Sequence, residues 1–191
     1  MQQDLDEPPD SELMQHLVAG HDEAMSKLLR RWQAKLISYL TRLINDAEVA
    51  RDLAQETFVR VYQHRNRYDV LQPFSTWLFS IATNLARNHH RWRQRHPEAP
   101  LEAQQLSGLD QVQHSPTPHQ ALAKKEAADA VRKAIHSLPE DQRTALILSY
   151  YEDLAQKEIA EVMKCSVKGV ELKIYRARQT LREVLSGLIS C

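Results

Sequence analysis

Apolar positions along the chain recur at spacings of three and four rather than two, which predicts helices throughout and no sheet. Leu13, Leu17, Met25, Leu28, Leu29, Trp32, Leu36, Tyr39, Leu40 and Leu43 follow this period. Ser11 is expected to cap the run and Gly20 to break it into two helices. After Asp46, a second expected cap, Val49, Ala50, Leu53, Ala54, Phe58, Val61 and Tyr62 form one stripe. "RNRYDVLQPFS" reads as a loop, with Pro73 and Ser75 marking the next helix start. That helix is expected from about Thr76 to the mid-nineties. Trp77, Leu78, Ile81, Ala82 and Leu85 occupy one side of it, and Asn84, Arg87, Asn88, Arg91 and Arg95 the other. It begins as core and ends as a cationic run that contains Trp92.

The pattern then stops. Residues 97–119 hold four prolines, a glycine and many glutamines without a sustained period, which predicts a linker. Periodic apolar residues return from Gln120 to Leu188. The expected architecture is all-α: a disordered acidic tail (1–10), a helical domain (11–96), a flexible linker (97–119) and a second helical domain (120–191). In the second domain Ser137 is expected to cap a helix with Pro139 early in it and Glu140 in its first turn. Leu154, Ile159, Ala160, Met163, Val167, Val170 and Ile174 then mark two helices around a turn at Lys164 and Cys165, with Ser166 as the second cap. This is helix-turn-helix spacing, although the usual turn glycine is absent. Burying Val167, Val170, Ile174 and Ala177 leaves Lys168, Glu171, Leu172, Lys173, Tyr175, Arg176 and Arg178 outside, four cations against one acid.

Each basic face admits two readings. The second-domain helix is either a groove reader with phosphate anchors or an ordinary amphipathic helix with a solvated side. The Asn/Arg stripe near residue 90 either contacts phosphates and bases, with Trp92 stacking on an unpaired base, or is a cationic helix end favoured by the helix dipole.

Composition narrows the classes. The net charge of the 191 residues is zero, which argues against a uniformly basic nucleic-acid binder. The charge is segregated, however: the first twelve residues carry five acids and no base, and Arg87 to Arg95 carries four arginines and no acid. No apolar run approaches the roughly 20 residues needed to span a bilayer, so no membrane insertion is expected. The acidic N-terminus reads as neither signal nor transit peptide. Cys165 and Cys191 make no disulfide framework, which suits the cytoplasm, and "LISC" lacks a prenylation pattern. His89 and His90 point about 100° apart and do not chelate together; His89 or His90 would add charge near DNA below about pH 6.5. With no nucleophile–base pair, phosphate-cradling glycine loop or metal-ligand spacing, no enzymatic activity, cofactor or metal is expected.

Taken in order, "DAEVARDLAQETFVRVY", "FSTWLFSIATNLARNHHRWR", a linker and "LPEDQRTALILSYYEDLAQKEIAEVMKCSVKGVELKIYRARQTL" resemble a bacterial sigma factor of the sigma-70 family, extracytoplasmic-function (ECF) type. The resemblance covers about residues 11–96 and 120–185. It implies that Asp52, Leu53, Gln55, Glu56 and Phe58 match the stretch that docks on the beta-prime clamp helices of core RNA polymerase. Asp52, Gln55, Glu56 and Arg60 lie off the apolar stripe and form, with Leu53, the expected polymerase-facing set; Phe58 is expected in the core. The loop containing Arg67, Tyr68, Phe74 and Ser75 matches the segment that captures a flipped minus-10 base. Asn84, Arg87, Asn88 and Arg91, with Trp92 beside them, match the helix that reads and melts the minus-10 element. Ser166, Lys168, Gly169, Glu171, Leu172, Lys173, Arg176 and Arg178 fall in the minus-35 reader.

The implied partners are core polymerase (clamp helices and beta flap), promoter DNA and an anti-sigma factor. "KGVELK" stands where many members read like "GTVKSR", so the minus-35 sequence is not carried over. Glu171 either accepts from a cytosine amino group or pairs with Lys168 or Tyr175. The middle domain of larger housekeeping members has no counterpart. The alternative is a stand-alone helix-turn-helix regulator with a dimerising or ligand-sensing N-terminal domain, which leaves that domain's Asn/Arg stripe without a purpose.

Overall fold

The computed structural model describes residues 8–96 and 118–189, and every regular element among them is helical. In chain order these are α1 (Asp10–Val18), α2 (Glu23–Ile44), α3 (Ala47–Gln63), a 3₁₀ turn (Arg65–Arg67), α4 (Phe74–Arg95), α5 (Pro118–Ser137), α6 (Glu140–Tyr150), α7 (Gln156–Met163) and α8 (Val167–Ile189). The expected acidic tail lies outside the described residues for 1–7, and the expected linker for 97–117.

In the N-terminal half α2 packs against α1, α3 and α4. Gly20, at φ 93°, separates α1 from α2, a conformation that only glycine adopts without a steric cost. Asn45, in the left-handed region at φ 63°, ends α2, and one residue later Asp46 Oδ1 caps α3. It accepts from Glu48 N at 3.0 Å and Val49 N at 3.1 Å. The apolar stripes meet in a core that includes Leu36, Tyr39, Leu40, Val61, Leu78, Phe79 and Ala82.

One polar pair is enclosed with them. Thr83 Oγ1 donates to Phe79 O at 2.7 Å, so its contact with Tyr39 Oη at 2.7 Å must be donated by the tyrosine. This bond ties the middle of α2 to the middle of α4.

Three helix starts differ from expectation. Ser11 is the second residue of α1, which begins at Asp10 after an extended Pro9. Asp10, expected in the acidic tail, belongs to the fold: its carboxylate accepts from Arg31 Nη1 at 2.6 Å and Trp32 Nε1 at 2.9 Å. α4 starts at Phe74 rather than Thr76, directly after Pro73. Ser137 ends α5, donating back to Ala134 O at 2.8 Å; Pro139 rather than Ser137 precedes the first residue of α6.

In the C-terminal half α8 packs across α5, α6 and α7 over Ile147, Leu148, Ile159, Val162, Val170 and Ala177. The turn between α7 and α8 does without glycine because Lys164 itself takes φ 53°. Ser166 Oγ then accepts from Gly169 N at 3.1 Å, the expected cap. Val167, expected in the core, is 40% exposed: it is the first residue of α8 and turns away from α7. The two halves also pack on each other, α7 along α4 and α6 against α2.

Candidate nucleic-acid interface

Burying Val49, Ala50, Ala54, Phe58 and Val61 forces the remaining side of α3 outward. Asp52 and Gln55 are exposed there, and Glu56 Oε1 pairs with Arg60 Nε at 2.9 Å one turn on. Leu53 is half-buried against the core and Phe58 is buried, as expected. The set is therefore a continuous polar surface with Leu53 at its edge.

The loop before α4 is built by its own side chains. Asp69 Oδ1 accepts from Leu71 N at 2.9 Å, and Tyr68 Oη donates to Gln72 O at 2.8 Å. The Tyr68 ring lies 6.2 Å from Phe74 and 5.3 Å from Trp77, while Phe74 also meets Trp32 at 5.9 Å. Of the predicted loop residues, Arg67 is exposed, Tyr68 and Ser75 are half-buried, and Phe74 is buried at 3%. Phe74 thus holds the loop from below instead of lining its outer surface. The loop tip exposes Leu71 at 90% and Val70 at 48%. Two adjacent apolar residues in an otherwise polar loop are the signal in the sequence that marks this tip.

On α4 the stripe divides. Asn84 is half-buried, Asn88 and Arg91 are exposed, and Trp92 is 49% exposed with its ring stacked on His96 at 5.0 Å. Arg87 is covered: its side chain is 18% exposed, with Nη2 at 3.0 Å from Asp141 Oδ1 and Nε at 3.9 Å from Glu140 Oε1. His90 Nδ1 lies 3.1 Å from Glu140 Oε2. Burial and then Arg93 hold the His89 pKa below the ordinary imidazole value.

On α8 Ser166, Lys168, Glu171, Leu172, Arg176 and Arg178 are exposed. Arg178 sits 5.1 Å over the Tyr150 ring, and Lys173 Nζ approaches Asp141 Oδ2 at 3.7 Å. Gly169 is half-buried; a side chain there would crowd Ser166 Oγ at 3.3 Å. Among the described residues Glu171 has no ion-pair partner, so its carboxylate is held by neither Lys168 nor Tyr175.

The halves meet through polar contacts that the sequence did not announce. Gln72 Nε2 donates to Glu161 Oε2 at 3.0 Å, and Thr76 Oγ1 to Glu158 Oε1 at 3.2 Å. The other Glu158 oxygen accepts from Ala155 N at 2.8 Å, fixing the carboxylate at the start of α7. Below them Trp32, Lys35, Arg42 and Phe79 face Tyr151, Glu152 and Leu154 across a cleft of about 510 Å³. Arg42 stacks 4.4 Å over Tyr151 and lies 4.0 Å from Glu152, whose burial pushes its pKa up to about 7. Among the described residues no group of three His, Cys, Asp or Glu side chains could hold a metal ion, and no helix is long and apolar enough to cross a membrane.

Two helical modules, one ending in an Arg/Asn-rich helix and the other in a helix-turn-helix with a cationic outer face, define a class of transcription protein. Residues 28–96 match the sigma-70 region 2 family and residues 128–181 the sigma-70 region 4 family. The RNA polymerase sigma-H factor of Pseudomonas aeruginosa is 33% identical across 97% of this chain and 98% of its own. The ECF RNA polymerase sigma factor SigW of Bacillus subtilis is 31% identical across 88% and 92%. Among solved structures, CnrH in complex with the cytosolic domain of CnrY matches with a TM-score of 0.69 at 24% identity, over 93% of this chain and 97% of that one. RpoE of Bartonella quintana, solved with the anti-sigma factor NepR, matches with a TM-score of 0.67 at 21% identity, over 84% and 96%. The chain belongs to the ECF-type sigma factors of the sigma-70 family.

Proposed function

We propose that this protein is a dissociable initiation factor that binds core RNA polymerase and directs it to one class of promoter, acting in the cytoplasm and without enzymatic activity of its own. The observation that carries the reading is the division of α4. Its first half buries Phe74, Leu78, Phe79, Ala82 and Leu85, and its second half projects Asn88, Arg91 and Trp92 into solvent. A helix anchored so firmly at one end holds its cations and amides in fixed register, as contact with phosphates and unpaired bases requires.

In this reading the outward face of α3 (Asp52, Leu53, Gln55, Glu56, Arg60) docks on the beta-prime clamp helices. The loop from Arg67 to Ser75 receives the flipped minus-10 base, with Phe74 supporting it from the core. Asn84, Arg87, Asn88 and Arg91 follow the opened strand. The outer face of α8 enters the major groove at minus-35, where Lys168, Lys173, Arg176 and Arg178 anchor on phosphates and Glu171 faces a base edge. The C-terminal half also meets the beta flap. An anti-sigma factor that covers these surfaces is the expected regulator, by analogy with the Bartonella complex.

In-vitro transcription with sigma-free bacterial core polymerase on a fragmented genomic library tests this. Promoter-specific transcripts that depend on the added protein are expected. No transcripts, together with tight stand-alone binding to a palindrome, would replace the reading with that of an autonomous regulator.

A further inference from the structure

We infer that Leu172 and Tyr175 read the minus-35 element through the C5-methyl groups of two neighbouring thymines, so that the promoters of this protein carry adjacent T·A pairs where α8 meets them. This rests on the reading of α8, under the proposed function, as the helix that enters the major groove.

The packing of α8 decides which of its side chains face the groove. Val170, Ile174 and Ala177 are buried against the rest of the C-terminal half. At about 100° per residue, the line directly opposite them holds Lys168, Leu172 and Tyr175. Glu171 and Arg178 flank that line on one side and Arg176 on the other. A cation therefore leads, two apolar side chains follow it, and charges run along both edges. Leu172 is 48% and Tyr175 65% exposed. Both lie in the first three turns of α8, the part of a recognition helix that reaches base edges.

Apolar side chains framed by Lys168, Arg176 and Arg178 fit a surface with an anionic rim and a methyl group at its centre. Duplex DNA has that form. Phosphates border the major groove, and the C5-methyl of thymine is the only apolar group that the four standard bases present in it. Leucine has neither donor nor acceptor. Against guanine, cytosine or adenine it would strand polar groups that water had satisfied, whereas against thymine it covers the methyl. Tyr175 offers its ring in the same way and keeps its hydroxyl for a phosphate or a base acceptor. Three residues of helix rise about 4.5 Å and one base step about 3.4 Å, so the two side chains meet neighbouring base pairs. A serine or threonine at position 172 would bond to several base edges; leucine narrows the choice to one.

The test uses holoenzyme assembled from the full chain and sigma-free core polymerase, on a promoter taken from the genomic transcripts. Each thymine of its minus-35 element, on either strand, is replaced singly by deoxyuridine, which lacks the methyl group and otherwise pairs identically. Competition against the unsubstituted promoter is expected to show a loss of roughly two- to fourfold at two neighbouring positions, the worth of one buried methyl each. Leu172→Ala should abolish the loss at one of these positions and Tyr175→Ala the loss at the other. Both residues are exposed, so neither substitution disturbs the core. A minus-35 element without adjacent T·A pairs, no deoxyuridine loss at any position, or losses that persist in both variants would overturn the inference. So would variants that lose affinity for core polymerase while the deoxyuridine losses remain, since the patch would then be a protein contact. A chain that gives no transcripts with core polymerase yet binds a duplex alone would instead overturn the proposed function, and the same substitutions in that duplex would still judge the methyl contacts. No binding with or without polymerase overturns both.

Discussion

The Tyr39–Thr83 pair gives the sharpest test of how α4 is held. Both side chains are fully buried, and Thr83 spends its own proton on Phe79 O. Burial drives the tyrosine pKa far up, so the phenol stays a donor at any working pH. Tyr39→Phe removes this donor and leaves Thr83 still bonded, which costs the net value of one hydrogen bond, about 1 kcal/mol. Thr83→Val removes the acceptor and strands the phenol in the core, adding a desolvation penalty for a total of about 2–3 kcal/mol. The double variant strands nothing, so adding Tyr39→Phe to Thr83→Val should recover about 1 kcal/mol. Urea unfolding followed by circular dichroism measures all three, comparing midpoints at constant m. A Tyr39→Phe cost equal to or above that of Thr83→Val, or simple additivity in the double variant, would refute the assigned direction of the bond.

Three further outcomes are expected. Glu152 is raised to about 7 chiefly by burial and also by Asp153, against the opposing pull of Arg42 and Lys35, with Glu158 and Tyr151 lining the same cleft. The closed form therefore holds a proton that an open form, with its carboxyl at the ordinary value, releases: the Glu152 contribution to closure is full below about pH 4.5, falls as pH rises and is gone above about 7. Glu152→Gln should strengthen closure at pH 8 by about 1–3 kcal/mol and leave it nearly unchanged at about pH 4, read as energy transfer between fluorophores placed on the two halves; an effect independent of pH contradicts this. Asp46→Ala should cost about 0.5–2 kcal/mol in thermal or urea unfolding, because two α3 amides lose their acceptor. Glu171→Gln should change the preferred base at one minus-35 position without altering core binding, and an unchanged promoter set from the genomic library would remove Glu171 from readout.

What could be read from the sequence was what periodicity and local chemistry encode. The two-sided α4 was legible because apolar residues at spacings of three and four stop near residue 86 while the cations continue. The Asp46 and Ser166 caps were legible because each sits directly before a periodic run. The family was legible because its motifs lie in order on those helices. The docking of the halves was not: its hydrogen bonds and ion pairs are made by Gln72, Thr76, Glu140, Asp141, Glu158 and Glu161, polar residues that read as solvated wherever no partner is in view. Asp10 was misplaced for the same reason, since its partners Arg31 and Trp32 are more than twenty residues away. Phe74 belongs to the DNA-facing set only through the family resemblance of its loop, and the periodicity around it does not reveal that its ring is enclosed by Trp32, Tyr68 and Trp77. Val167 had the right residue type and period, but helix ends escape the burial that mid-helix positions share.

Trp32 is hydrogen-bonded to Asp10, stands 5.2 Å beneath Lys35 Nζ and borders the cleft between the halves. Trp77 lies in the loop's aromatic cluster and Trp92 at the far end of α4, both away from that cleft. The unlabelled chain therefore contains an optical gauge. With Trp77 and Trp92 replaced by phenylalanine, the emission colour of the remaining indole reports whether water has entered the cleft. Any separation of the halves then becomes a stopped-flow trace of one indole, timed without a label.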